Sequence, residues 1–251
     1  RTLDQEVAHH AALDARLVDA VGGIRLLALT SWPAAVQAPF LASVARGQPR
    51  LPDVDYPQLD FTAERQALAG IMRQCDGDHP LGRYVQQSAQ SWDTAAQLLE
   101  SLGTAQVDAC SVQLFGSPEQ PLPGSGPSTR DAARHFIQIA TELDHELLAP
   151  EEQVPVSSTA LQLQLQQDLD AFFESRIIQV QLDPALVSKA AAGATRIRLR
   201  TSARFSAYDR AQLFHHEALV HSLTALNGRE QQVLPSLALS SPRVTATQEG
   251  L

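Results

Sequence analysis

The sequence is short of basic residues and of long apolar runs, and each shortage excludes a class of function. Lys and Arg number 19 against 28 Asp and Glu, which gives a formal net charge of -9. This balance argues against a general binder of nucleic acids or anionic membranes, because phosphate binding needs concentrated Lys and Arg. No apolar run approaches the roughly 20 residues that a helix needs to cross a bilayer, so we expect no membrane partner.

Cysteine is also scarce. The two cysteines, Cys75 and Cys110, are far apart in the sequence and lack the spacing of metal ligands. A disulfide between them is one interpretation. Reduced thiols in a cytoplasmic protein are the one we prefer, because disulfides are rare in that compartment.

What is present is typical of a globular protein, with 44% hydrophobic and 19% charged residues in a chain of 251. That length allows one large domain or two small ones. The patterns predict a mainly helical α+β protein, with a helical region 1–150 and a region 151–251 that holds a small sheet and a candidate metal site. The stretch 149–157, rich in Pro and Glu, is the predicted boundary, and a single compact domain is the alternative.

Periodicity locates the individual elements. Apolar spacing and capping residues predict helices over 3–29, 62–74, 80–102, 128–148 and 158–174. Gly22-Gly23 is a candidate interruption of the first helix, and Thr62 is the predicted cap of the second. Alternating apolar residues predict strands over 178–182 and 196–200. Residues 161–165 alternate like a strand, but the run continues at helical spacing into Leu169 and Phe172, which favours a helix.

Two imidazoles and a carboxylate lie close together on one predicted helix near the end of the chain, at His216, Glu217 and His221. Catalytic zinc is usually held by three protein groups, with water in the fourth position. A glutamate beside the first histidine is where metallopeptidases place their general base. An ordinary amphipathic helix that happens to carry histidines is the competing interpretation, although such polar groups near a core need partners.

The spacing of the histidines is unusual for one helix face. His216 and His221 are five residues apart, which separates them by about 140° on an α-helix with 3.6 residues per turn. A π-bulge would bring the two rings together, and such bulges are frequent at functional sites. Pairing His215 with His221 is aligned still worse, so we prefer His216 and treat His215 as a neighbour. Ser206-x-x-Asp209 is predicted to cap this helix, and Asn227-Gly228 to end it.

Together with its surroundings, the motif resembles that of a known family. The residues that carry the resemblance are His216-Glu217-x-x-x-His221, Leu223-Thr224-x-x-Asn227-Gly228 and Gln248-Glu249-Gly250-Leu251. They resemble the DUF1704 group, whose bacterial members are labelled flavohemoglobin expression-modulating QEGLA motif proteins. Its animal members are microtubule-associated tyrosine carboxypeptidases, which remove the C-terminal tyrosine of α-tubulin. Looser similarity upstream extends the resemblance over most of the chain.

The resemblance implies a role for each of four residues. His216 and His221 would be zinc ligands, Glu217 the catalytic base and Glu249 the third ligand, a set of two histidines and one glutamate as in thermolysin-like sites. The alternative for Glu249 is an acidic residue in the first turn of a helix, where its charge is favourable against the helix dipole. The alternative for Glu217 is a surface residue. The chain departs from the family at Gln231-Gln232, where Gln-Pro is usual. Because the family continues with a helix beyond Leu251, we expect a fragment.

These observations predict a zinc-dependent metallopeptidase with a zincin-like half. It would hydrolyse a peptide bond at the C-terminus of a peptide or protein, by a carboxypeptidase-type reaction. The alternative is a non-catalytic regulator that binds peptides or proteins and keeps a vestigial or structural metal site. The strand 196–200 is a candidate edge for an added substrate strand, or its arginines protect an exposed edge.

A carboxypeptidase also needs a cation for the terminal carboxylate of its substrate, and arginine suits that geometry. The sequence offers four arginines near the motif, between which spacing does not choose: Arg204, Arg210, Arg229 and Arg243. The remaining histidines have no partners at ligand spacing and are interpreted as surface or structural residues: His9, His10, His79, His135 and His145.

Overall fold

A computed structural model describes residues 2–124, 126–142 and 155–250 of the chain. This part is mainly helical and carries two small sheets, which confirms the predicted α+β class. None of its helices is long and apolar enough to cross a membrane. The chain divides into two compact units, residues 1–114 with 228–249 and residues 115–227 with 250–251.

The first unit is built on the long helix α5 (Pro80–Glu100), which packs against α1 (Leu3–Val21) and α4 (Thr62–Gln74). Pro80 suits the first turn, where its missing N–H has no helical partner to lose, and His79 caps the helix by accepting a hydrogen bond from the Leu81 N–H at 3.2 Å. The remaining helices of this part are α2 (Leu26–Thr30), a 3₁₀ turn (Ala34–Val36), α3 (Gln37–Ala45), α6 (Gln106–Phe115), a 3₁₀ helix (Pro235–Ala238) and α11 (Pro242–Glu249).

Predicted and observed helix boundaries differ by a few residues in this unit. Thr62 was predicted to cap a helix ending near Gln74, but it is the first residue of α4, and Phe61 holds the cap position. Helix α5 begins at the predicted Pro80 and ends two residues before the predicted 102. The helix predicted over 3–29 is interrupted, because α1 ends at Val21, ahead of Gly22-Gly23. Cys75 and Cys110 are both free thiols in this unit, which confirms the prediction of no disulfide.

A buried carboxylate holds the returning segment 228–249 on this unit. Asp14 of α1 is fully buried and accepts hydrogen bonds from the Ser236 backbone N–H at 2.8 Å and hydroxyl at 2.5 Å. Burial raises the pKa of the Asp14 carboxyl, against the lowering effect of these hydrogen bonds. Leu234 is buried in the same apolar core. The compact units therefore divide the chain elsewhere than at the predicted boundary near residue 150.

Gly228 is fixed by packing rather than by a helix end. The helix that carries His216 and His221 was predicted to end at Asn227-Gly228, but α10 (Leu223–Arg229) includes both residues. A Cβ on Gly228 would collide with the backbone of Leu237 and Ala238. The glycine therefore permits a close approach of two chain segments.

This packing predicts opposite effects for two helical glycines. Gly228→Ala is expected to lower the free energy of unfolding by about 1–3 kcal/mol, because backbone has to move to admit the methyl group. Gly70→Ala, inside α4 and with only the Arg73 side chain nearby, is expected to raise it by about 0.5–1 kcal/mol through helix propensity. Urea denaturation of both variants measures these differences, and equal effects would contradict the packing argument.

The second unit contains a three-stranded sheet in the order β2-β4-β3. Strand β2 (Gln179–Asp183) pairs in parallel with β4 (Arg196–Arg200), and β3 (Ala190–Gly193) pairs antiparallel with β4. A second, two-stranded sheet joins β1 (Val156–Ser157) to β5 (Arg204–Phe205). The helices preceding the metal motif are α7 (Thr129–Glu142) and α8 (Ser158–Phe172).

The core of this unit lies between α8 and the sheet, where Leu161, Leu165, Ile197 and Leu199 are fully buried. Gln166 of α8 joins the two layers: its side-chain oxygen accepts from the Val180 N–H at 2.8 Å and its amide donates to the Ile178 carbonyl at 2.9 Å. The prediction of a helix rather than a strand over 158–174 is confirmed, and α8 ends two residues before the predicted end.

Two further predictions for this unit are settled differently. The arginine-bearing strand β4 is the centre of its sheet. Both suggestions that it is an edge strand, open to substrate or protected by its arginines, are therefore wrong. Strand β3, which the sequence did not predict, pairs with β4 on the side away from β2.

The predicted cap of the 128–148 helix is confirmed, because Asp131 accepts from the Ser128 N–H at 2.9 Å. The end of that helix and most of the 149–157 linker lie outside the described residues.

Candidate metal centre

The histidine motif lies on a π-helix. A short α-helix, α9 (Asp209–Leu213), leads into a π-helix (Phe214–Ser222), which continues as α10. In a π-helix the hydrogen bonds join residues five apart, so residues at that spacing stack on one side. The bulge that the spacing of His216 and His221 required is therefore present in the described structure.

The two imidazoles meet as that register requires. The Nε2 atoms of His216 and His221 are 3.2 Å apart, and the rings lie edge to face with centroids 4.7 Å apart. Two nitrogens bound to one tetrahedral zinc at about 2.0–2.1 Å are about 3.3 Å from each other. The observed separation fits a shared cation, and it also suits a hydrogen bond between neutral rings.

The carboxylates of the motif lie in different elements. Glu217 is half-buried on the π-helix, next to His216, and Glu249 is exposed as the last residue of α11. In the described part of the chain, the group that could hold a metal ion consists of His216, His221 and Glu249, each offering one ligand atom. Imidazole nitrogen and carboxylate oxygen are both donors that zinc accepts.

His215 takes no part in that group. It is exposed, and its ring packs edge-on against Phe214 with a centroid distance of 5.5 Å. Phe214 in turn contacts Phe172 of α8. The preference for His216 over His215 therefore agrees with the geometry.

An ion pair holds the start of the metal helix. Arg210 of α9 donates two hydrogen bonds of 2.6 Å to the carboxylate of Asp168 on α8, and this hydrogen bonding lowers the pKa of Asp168. Asp209 accepts a 2.6 Å hydrogen bond from the Ser206 N–H. The prediction that Ser206 caps the helix is wrong, because α9 begins at Asp209 with Tyr208 in the cap position. Because the Arg210 guanidinium already binds a carboxylate, it is a poor candidate for a substrate carboxylate.

Of the other candidate arginines, Arg204 donates to the Pro155 carbonyl at 3.3 Å, while Arg229 and Arg243 are exposed. The histidines of the first unit have structural roles: the buried His10 lies 2.9 Å from the Glu6 carbonyl, accepts from the Asp76 N–H and stacks on His79. His145 lies outside the described residues.

Sequence reasoning missed one buried polar residue beside the motif. Ser222, the last residue of the π-helix, is fully buried and donates a 2.7 Å hydrogen bond to the Gly193 carbonyl of β3. The signal for it was its spacing, since Leu213, Ala218 and Ser222 share the buried side of the helix.

Comparison with known proteins gives one match. A family model described as microtubule-associated tyrosine carboxypeptidase matches residues 39–251. This range contains all four residues of the candidate site. No curated protein and no solved structure matches the chain.

Proposed function

The chain belongs to the microtubule-associated tyrosine carboxypeptidase family, and from this premise we propose that it is a zinc-dependent metallopeptidase that removes the C-terminal residue of a peptide or protein. The observation that carries the zinc dependence is the π-helix, which stacks His216 and His221 with their Nε2 atoms 3.2 Å apart. A π-helix is rare and is frequently found at functional sites, so its presence at this motif supports a ligand pair.

The proposed ligand set is His216, His221 and Glu249. Three protein groups leave one coordination position open, which distinguishes catalytic from structural zinc sites. When bound, zinc supplies Lewis-acid polarisation of a carbonyl and lowers the pKa of water. A bound ion would give polar partners to two imidazoles that are half-buried on a helix whose other side faces an apolar core.

Glu217 is proposed to be the general base. Its carboxylate takes a proton from the attacking water and delivers it to the nitrogen of the departing residue, so that one peptide bond breaks and water is consumed. Glu217 directly follows the proposed ligand His216 in the sequence, but it is not one of the proposed ligands. Catalysis by one such positioned group contributes about 10²–10⁴-fold.

The finer features of the enzyme are part of the same proposal. The order of sheet and metal helix supports a zincin-like second unit, and the QEGL sequence around Glu249 supports kinship with the QEGLA motif proteins. The description of the family names tyrosine as the residue removed, which makes tyrosine the first residue to test. A cytoplasmic location suits the free thiols.

Incubation with a peptide library that varies the last residue tests the proposal directly. We expect mass spectrometry to show peptides shortened by one C-terminal residue, with loss of the reaction on adding a chelator and its return on adding zinc. Peptides with an amidated C-terminus are the matched control and should remain intact. Internal cleavage, or activity unaffected by chelator, would contradict the proposal, and binding without shortening would favour a non-catalytic regulator.

A further inference from the structure

Ser222 holds the end of the metal helix against the sheet. It is the last residue of the π-helix, directly follows His221, and is fully buried. Its hydroxyl donates to the Gly193 carbonyl at 2.7 Å, and Gly193 ends strand β3. The bond therefore joins the chain next to a proposed ligand to a strand anchored in the sheet by its pairing with β4.

We propose that Ser222 is a positioning residue, whose hydrogen bond to Gly193 holds the π-helix in the register that sets the His221 ring beside His216. This inference rests on the proposed function of the site. It assigns a role to a residue outside the proposed ligand set of His216, His221 and Glu249.

The physical reason is a competition between two helix registers. An α-helix with 3.6 residues per turn would separate the two imidazoles by about 140°, whereas the π register stacks them. Returning to the α register would rotate Ser222 away from Gly193. A buried hydroxyl that loses its acceptor costs free energy, so the bond favours the register in which the rings meet.

The apolar packing on the buried side of the helix does not favour one helix register over the other. Ala218, one turn before Ser222, is also fully buried and packs in the apolar core of this unit. A methyl group packs without directional demands, so it fits either register nearly as well. The hydrogen bond from Ser222 to Gly193, in contrast, is directional.

The chain offers a matched control for stability. Ser158 is likewise buried in the second unit, at 4% exposed, and its hydroxyl donates to the Thr201 carbonyl at the same distance of 2.7 Å. It lies at the start of α8 rather than on the metal helix. Ser158→Ala therefore removes an equivalent hydrogen bond without touching the register of the π-helix.

Zinc affinity separates positioning from stability. We expect Ser222→Ala to bind zinc at least tenfold more weakly than the unmodified protein, within the 10–100-fold range for groups that orient metal ligands. Ser158→Ala should lower the melting temperature of the zinc-free protein similarly but change zinc affinity by less than about threefold, a margin below that range. Competition with a chromogenic chelator measures the affinity, and thermal unfolding the stability.

A second pair of variants covers the case in which Ser222→Ala does not fold. Ser222→Thr and Ser222→Val are equal in size and differ in the hydroxyl. The threonine variant should therefore bind zinc about tenfold more tightly than the valine variant. Equal zinc affinities within this pair, or an affinity of Ser222→Ala matching that of Ser158→Ala, would overturn the positioning role. Normal zinc binding by His216→Ala would contradict the proposed ligand set. That result is distinct from those that contradict the positioning role of Ser222.

Discussion

Replacing Glu217 with glutamine is expected to lower kcat by about 10²–10⁴-fold while leaving zinc bound, because an amide cannot accept the proton of the attacking water. The change keeps the size of the side chain and removes its charge. The substrate for this test is the best peptide from the C-terminal library, and kcat is measured with the enzyme saturated by that peptide. Zinc affinity, measured in parallel by chelator competition, should change by less than about threefold if Glu217 is not a ligand.

Glu230 supplies the matched control for that variant. It is an exposed glutamate just beyond α10, and Glu230→Gln makes the same change of charge outside the motif. Its kcat should equal that of the unmodified protein. Full turnover by Glu217→Gln with zinc bound would remove the general-base role, whereas loss of zinc from this variant would make Glu217 a ligand.

The sequence predicted the distortion of the helix that carries His216 and His221, because the evidence for it is local. The five-residue spacing of His216 and His221 does not fit an α-helix, and the π-helix found there is the distortion that such spacing requires. Proline similarly marked the start of α5, where its backbone preference acts within one turn. The choice of His216 over His215 followed from the same local pattern.

What the sequence could not supply are contacts between distant residues. Asp14 and Ser236 are 222 positions apart, and no periodicity connects an aspartate on one helix with a serine in a later turn. Strand β3 was missed for a different reason, since Ala190–Gly193 consists of residues that are poor strand formers by themselves. Its pairing with β4 creates the strand, and that pairing supplies the carbonyl that Ser222 binds.

The two compact units show the same limit at a larger scale. The linker composition near residue 150 is a local signal, but the first unit is completed by residues 228–249, which return to it after the metal helix. Leu234 enters the apolar core there, and Gly228 permits the close approach.

Removing either imidazole is expected to weaken zinc binding by at least a hundredfold, because even groups that only orient metal ligands contribute 10–100-fold. His216→Ala and His221→Ala each leave two of the three proposed ligands. His215→Ala, the matched control, removes an exposed imidazole whose ring packs on Phe214, and should keep zinc affinity within about threefold, below the range for groups that orient ligands. Chelator competition measures all three variants on one scale.

A thermal readout makes this test independent of any substrate. Zinc that binds the folded protein stabilises it by about 2.7 kcal/mol at a free concentration 100 times its Kd, so the melting temperature of the unmodified protein and of His215→Ala should rise on adding zinc. The melting temperature of His216→Ala and His221→Ala should stay nearly constant at the same concentration. If His215→Ala lost the rise and His216→Ala kept it, the ligand pair would be His215 with His221. If all variants kept it, the 3.2 Å approach of the two rings would be a hydrogen bond between imidazoles, and zinc would bind elsewhere.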